Sequence, residues 1–295
     1  MRATVFTVLA LVGFAANSLL CRAALGGGGR LIDAASFTTV RLVSGALVLA
    51  LLLRLRGGAE RRGSWGSALA LFTYAAGFSL AYVRIPAGVG ALVLFGCVQA
   101  TMLGTGIFRG ERPRPLEWAG LILALGGLVA LTAPGVSAPD PLGAALMAGA
   151  GVAWGVYSLR GRGSTNPLAI TADNFLRSVP LTLGLSLLGL LSVGTPHATA
   201  AGLGLAMASG ALASGVGYSL WYAALPHLSA TRAAIVQLSV PVLAATGGVL
   251  LLGETLSMRL VGAGLALLCG ILLALMSRQR KPPTAAPAPG SRPAG

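Results

Sequence analysis

Two arginines, Arg41 and Arg177, stand inside long apolar runs, 136 residues apart, each ending a similar string, FTTVR and DNFLR. A cation in hydrocarbon costs about 2.5–3.5 kcal/mol on insertion scales, so each needs a partner or a water-filled space. A guanidinium is a planar fork that fits a carboxylate, and one reading has the two arginines bind an anionic group or gate access to it. The other has each snorkel, or bond backbone carbonyls at a helix end. Residue type leaves both open. The apolar runs also hold Tyr74, Tyr82, Trp154, Tyr157, Tyr218, Trp221 and Tyr222. An aromatic face with a polar tip can hold an organic solute by stacking, hydrogen bonding or cation–π contact. The same side chains also serve as packing or as an interfacial belt. Asn17, Gln99 and Gln237 are uncharged amides that either bond a solute or bridge helices. Pro241 removes one helix hydrogen bond and marks a place for a helix to bend.

Other chemistries lack their residues. The apolar runs carry no acid near their middles, which disfavours a proton-coupled exporter of cationic drugs. Asp173 lies four residues before Arg177, the spacing of a helical ion pair. Glu111 and Glu254 fall in turns and are expected to cap the helices that follow them, and Arg22 is expected to be an interfacial anchor. Cys21, Cys97 and Cys269 form no CxxC pair and read as small core residues; His197 and His227 sit in short loops. No metal or other cofactor is therefore expected. There is no GxxxxGK[ST] loop for direct ATP coupling and no catalytic cluster, so the chain does not read as an enzyme.

The elements that must position these residues follow from composition. The chain is 55% hydrophobic and 9% charged, with a mean hydropathy of +0.83, against about 25% charged residues in a soluble domain. Apolar runs cover about 3–20, 34–53, 65–83, 87–108, 116–133, 141–159, 170–193, 201–224, 229–252 and 256–276. Each is near the roughly 20 residues that cross a bilayer. The first is longer than the apolar core of a signal peptide and is expected to remain as a helix. Lipid cannot satisfy backbone N–H and C=O groups, so the runs must be helices; without period-2 alternation they do not make a barrel. The net charge of +14 lies almost wholly in short gaps between runs, the pattern of membrane orientation rather than of nucleic-acid binding. With the N-terminus inside, 15 of the 21 Lys and Arg residues fall on the inner side and 3 (Arg30, Arg84, Arg259) outside. Both termini are thus expected in the cytoplasm.

The chain repeats itself. Gly104, Gly110 and Glu111 recur as Gly247, Gly253 and Glu254 at an offset of 143; FSLAY (78–82) recurs as YSLWY (218–222), and GFAANS (13–18) as AWGVYS (153–158), at 140. One unit has been duplicated. Five runs per unit is odd, so the second unit enters the bilayer from the opposite side. The expected fold is an all-α integral membrane protein of ten transmembrane helices, arranged as two inverted five-helix repeats, residues 1–134 and 135–277. A disordered, cytoplasmic Pro/Ala-rich tail follows at 278–295. Inverted repeats place a site near the midplane, where alternating access exchanges the conformations of the halves.

These features resemble the EamA-type branch of the drug/metabolite transporter superfamily. The residues that carry the resemblance are Asn17-Ser18, Arg41, Ser79 to Tyr82 and Arg109 to Glu111 in the first half. In the second they are Trp154, Tyr157, Tyr218 to Tyr222, Pro241-Val242 and Gly253-Glu254. Two positions depart: Val98 stands where the second half has Pro241, and Phe14 stands where a tryptophan is common. The resemblance implies a multi-pass inner-membrane secondary transporter that exports or exchanges a small amino-acid-like or organic-acid-like metabolite. The candidate substrate-binding set is Asn17, Arg41, Tyr74, Tyr82, Gln99, Trp154, Tyr157, Arg177, Tyr218, Trp221, Tyr222 and Gln237, with Pro241 as the bend. The partners implied are a small-molecule substrate, the bilayer, and a coupling proton or counter-solute. A multidrug exporter and a non-transporting sensor or scaffold of the same fold are the alternatives.

Overall fold

The computed structural model describes residues 2–27, 29–58, 63–110, 112–135, 138–161, 165–193, 196–228 and 230–279. Glu111 and residues 280–295 lie outside them, and so do the expected Glu111 cap and most of the expected disordered tail; the first two tail residues, Arg278 and Gln279, instead continue the last helix. The described chain is all helix apart from one isolated bridge. The helices are α1 (Arg2–Leu25), α2 (Ala34–Leu55), α3 (Trp65–Tyr82), α4 (Ala87–Phe108), α5 (Pro115–Thr132), α6 (Pro141–Gly161) and α7 (Pro167–Val193). An eighth span is composite: α8 (Ala200–Met207), a π-helical segment (Ala208–Val216) and α9 (Gly217–Ala224). The ninth is α10 (Ala230–Gln237) followed by α11 (Ser239–Leu252), and the tenth is α12 (Met258–Gln279).

The ends are set by the polar residues between the apolar runs. Asp33 Oδ1 accepts from Ser36 N at 2.8 Å to start α2, and Asp140 Oδ1 accepts from Gly143 N at 2.7 Å to start α6. Ser64, Asn166, Thr199 and Ser257 do the same for α3, α7, α8 and α12. Gly253, at φ 65°, closes α11 in the left-handed region that glycine tolerates. Among the described residues nine helical stretches are long and apolar enough to cross a bilayer. α3 is not one of them, because Ser67, Thr73, Tyr74, Ser79 and Tyr82 lower its hydropathy over 18 residues.

The ten helical segments make one bundle. α3 and α4 pack on α6, α2 packs on α7, α1 on the eighth span and on α11, α4 on α11, and α5 on α12. Small residues bring the last pair together: a Cβ on Gly120 would lie 2.5 Å from the Gly270 carbonyl oxygen. Between the halves, Asp33 N donates to His197 O and Thr199 N to Leu31 O, both at 2.8 Å, forming the one described bridge around Ile32 and Ala198.

Two departures from the sequence reading, and one bend that it expected, have local causes. The eighth span is not a uniform α-helix: its widened π turn lies over α2, where Gly210 meets the Arg41 carbonyl and the Ser44 hydroxyl. The ninth span is interrupted at Leu238, three residues before Pro241, because a proline at 241 has no N–H for the carbonyl of Gln237. α4, which has Val98 at the matching place, is continuous. Of the three cysteines expected in the core, Cys21 is buried, Cys97 half-buried and Cys269 exposed on the outside of the bundle.

Candidate functional site

Between the halves lies a cavity of about 520 Å³. At one end it reaches Arg109, Gly161 and Pro167, which mark the end of α4, the end of α6 and the start of α7. These termini belong to the face that carries the arginine-rich loops. At the other end the cavity stops against Phe14, Asn17 and Ser18 of α1 and Phe78 of α3.

Trp154 of α6 anchors its aromatic wall. The indole stacks on Tyr157 (5.3 Å between ring centroids) and on Tyr218 of α9 (5.6 Å), and leans on Tyr74 of α3 (4.8 Å). Phe14 extends the wall to Tyr218 and Trp221. The phenols are tethered from outside the ring cluster: Thr171 Oγ1 lies 2.8 Å from the Tyr222 hydroxyl and accepts from the Tyr157 hydroxyl at 3.4 Å. Such anchoring leaves flat apolar faces toward the cavity with few free rotamers, which suits a small organic solute.

The polar end is built on Tyr74. Its hydroxyl oxygen accepts from Arg41 Nη2 at 3.0 Å and from Asn17 Nδ2 at 3.4 Å. Asn17 is fixed in turn by Ser209, whose hydroxyl donates to Asn17 Oδ1 from the π-helical segment. With both lone pairs engaged, the Tyr74 hydroxyl can serve a third group only as a donor. Arg41 stands behind it, 2% exposed, with its guanidinium 4.8 Å from the Phe78 ring centroid and 5.2 Å from that of Tyr74. Its Nε and Nη1 have no hydrogen-bond partner, and among the described residues no carboxylate pairs with it. The polar end thus couples a polarised O–H donor to a buried positive charge that has no counter-ion among the described residues.

Of the residues singled out from sequence, Asn17, Tyr74, Gln99, Trp154, Tyr157, Tyr218, Trp221, Tyr222 and Gln237 line the cavity. Arg41 sits one layer behind it. Tyr82 is outside, wholly buried, its hydroxyl donating to Ala87 O at 3.3 Å. Arg177 is outside as well: it donates to Asp173 at 3.2 Å, as the four-residue spacing predicts, and lies over the Trp65 ring. The two arginines end similar strings but do not share surroundings. Arg177 has an acid one turn before it, whereas the first half has Phe37 at the place of Asp173, so Arg41 has none.

Two other expectations are corrected. Glu254 does not cap the helix that follows it, and Arg22 is not a free anchor: Arg22 Nε donates to Glu254 Oε1 at 3.1 Å, and Glu254 serves the start of α4. Sequence reasoning also passed over Phe14, Phe78, Thr171 and Asn174 as site residues, all of which line the cavity. Thr171, Asn174 and Ser178 recur at i, i+3 and i+7 on α7, a polar stripe on an apolar helix that was there to be read.

Comparison with known proteins agrees with this architecture. The model of the EamA-like transporter family matches residues 141–276. An uncharacterized protein of Pseudomonas aeruginosa is 55% identical over 279 residues, which is 94% of this chain and 96% of that one. The threonine/homoserine exporter RhtA of Salmonella typhimurium is 30% identical over 259 residues, 83% of this chain and 82% of the exporter. A crystal structure 20% identical in sequence superposes with a TM-score of 0.65, covering 94% of this chain and 98% of that one, which shows the shared fold.

Proposed function

Because this chain belongs to the EamA-like transporter family, we propose that it exports or exchanges a small amino-acid-like solute by alternating access. Secondary transport of a small organic solute across the inner membrane is the family's part of that statement. The solute class and direction are our reading. The observation that carries it is Arg41, a buried cation with no counter-ion among the described residues, placed behind the free O–H of Tyr74 at the closed end of an aromatic cavity. A solute carboxylate completes that arrangement. The stacked faces of Trp154 and Tyr218 receive the rest of the molecule, and a solute ammonium gains from the same faces. The likeness to a threonine/homoserine exporter supports both the amino-acid class and outward transport.

The packing supports inverted repeats at 1–134 and 135–277. Exchanging each span with its counterpart five positions along turns the α3–α6 contact into that of α1 with the eighth span, and leaves the α2–α7 and α5–α12 pairs unchanged. With the arginine-rich loops and both termini in the cytoplasm, the cavity opens inward, where an exporter loads. No carboxylate lines it among the described residues, so exchange against a second solute is the coupling we favour over a proton held in the cavity.

The test is flux in proteoliposomes across a broad panel of amino and organic acids. Saturable uptake or exchange of zwitterionic or anionic members is expected. Tyr74→Phe keeps the ring and removes the donor. It is expected to raise the half-saturation concentration about 3- to 10-fold, the worth of one hydrogen bond of about 0.5–1.5 kcal/mol. A panel without saturable flux, or flux confined to cations, would reject the reading.

A further inference from the structure

We propose that Arg22 and Glu254 form the outer gate of this transporter: a latch that locks the second half onto the first above the closed end of the cavity and must release for solute to leave. The proposal rests on the alternating-access reading above.

The latch hangs on one carboxylate. Glu254 follows the left-handed Gly253 at the end of α11, so it turns back over the bundle instead of running on toward α12. Its two oxygens accept from Ala87 N at 3.0 and 2.9 Å, and Oε1 accepts from Arg22 Nε at 3.1 Å. Arg22 Nη1 also donates to the Tyr82 carbonyl at 2.9 Å. Glu254 of the second half thereby ties the end of α1 to the start of α4, and Arg22 carries the tie on to the end of α3. α4 needs it: its N-cap is Pro86, which offers no side-chain acceptor, so Glu254 supplies what the first turn of that helix lacks. Small residues let the elements meet, Gly88 facing Ala245 across the α4–α11 crossing and Gly248 facing the Glu254 carboxylate.

The position is that of a gate. Along α1, Phe14, Asn17 and Ser18 line the cavity. Cys21 continues their face, seven, four and three residues on, and is wholly buried. Arg22 comes next. The stripe that lines the open part of the pathway therefore runs on into a sealed part, and the latch lies over it. The side chains of Arg22 and Glu254 are 20% and 13% exposed. Both are close enough to solvent for water to replace the bonds when they part, which suits a contact made and broken in every cycle.

Cys21 is a built-in reporter. In a background with Cys97→Ala and Cys269→Ala, a membrane-impermeant maleimide is applied from the arginine-poor side of reconstituted protein. The parent should label slowly. Glu254→Gln and Arg22→Gln should each speed Cys21 labelling several-fold, by raising the share of molecules open to that side. Unchanged labelling in both variants, with melting temperature and monodispersity retained, overturns the gate; so does acceleration seen only from the arginine-rich side. Labelling needs no solute, so it stands apart from the flux panel. Absent flux with accelerated labelling rejects the proposed solute class and keeps the gate; intact flux with unchanged labelling does the reverse.

Discussion

Arg41→Gln is expected to make the protein a poorer transporter and a more stable one. Glutamine keeps an amide N–H for the Tyr74 hydroxyl but removes the charge behind it. A unit charge about 6 Å from a carboxylate interacts by about 3 kcal/mol at an effective dielectric of about 20, so the half-saturation concentration for a carboxylate solute should rise on the order of 100-fold. The same change relieves the buried guanidinium, whose Nε and Nη1 have no partner, and insertion scales put the cost of such a cation at about 2.5–3.5 kcal/mol. Part of that gain is offset by the lost contacts with Phe78 and Tyr74. Flux assays and thermal melting of one purified sample read both effects. A side chain kept for structure alone would lose stability and activity together; if the melting temperature falls in step with flux, the anion-binding role is wrong. Arg41→Lys tests geometry separately, since a lysine keeps the charge but cannot hold the planar fork against Tyr74.

Gly210→Val is expected to damage the site from the other side. A Cβ at Gly210 would run into the Arg41 carbonyl and the Ser44 hydroxyl, and backbone at that crossing can yield only by separating α2 from the eighth span. Overpacking of this kind costs about 1–3 kcal/mol. Here it also moves Arg41 and loosens Ser209, one residue away, from Asn17. Melting temperature and flux should both fall, with flux falling further than in Tyr74→Phe. Gly149→Ala is the control, because a Cβ there meets nothing within 4 Å. Equal losses in the two variants would show a general intolerance of glycine replacement and no special part for the π-helical crossing.

What could be read from the chain divides along physical lines. Spans were legible because lipid cannot satisfy an open backbone, so each long apolar run had to be a helix. The cavity aromatics were legible too, since tyrosines and tryptophans inside apolar runs are few and need a polar partner. One contrast was visible but unused, and two features depended on neighbours that no sequence spacing reveals. Arg41 and Arg177 look alike in their strings, yet a phenylalanine against an aspartate one turn earlier gives them opposite surroundings. Glu254 could have capped the helix after it; only the fold brings the uncapped start of α4 closer. The π-helical turn arises where Gly210 is pressed onto α2, and nothing in ASGALASGV asks for it in isolation. Tyr82 shows the reverse error, an aromatic of the right kind in the right helix, but one turn too near the sealed end.

The interruption at Leu238 has a kinetic consequence. One half carries a ninth span made of two rods, while its counterpart α4 is a single rod. Under the proposed alternating access, parting the bundle on one side flexes a joint and parting it on the other swings a stiff lever, so the inward-open and outward-open forms are expected to differ in free energy. For a carrier that adds no energy of its own, detailed balance then requires the maximal velocity and the half-saturation concentration to differ between the two sides of the membrane by the same factor. Sided measurements in oriented vesicles would read that factor directly, and replacing Pro241 with the valine of the other half should draw it toward one.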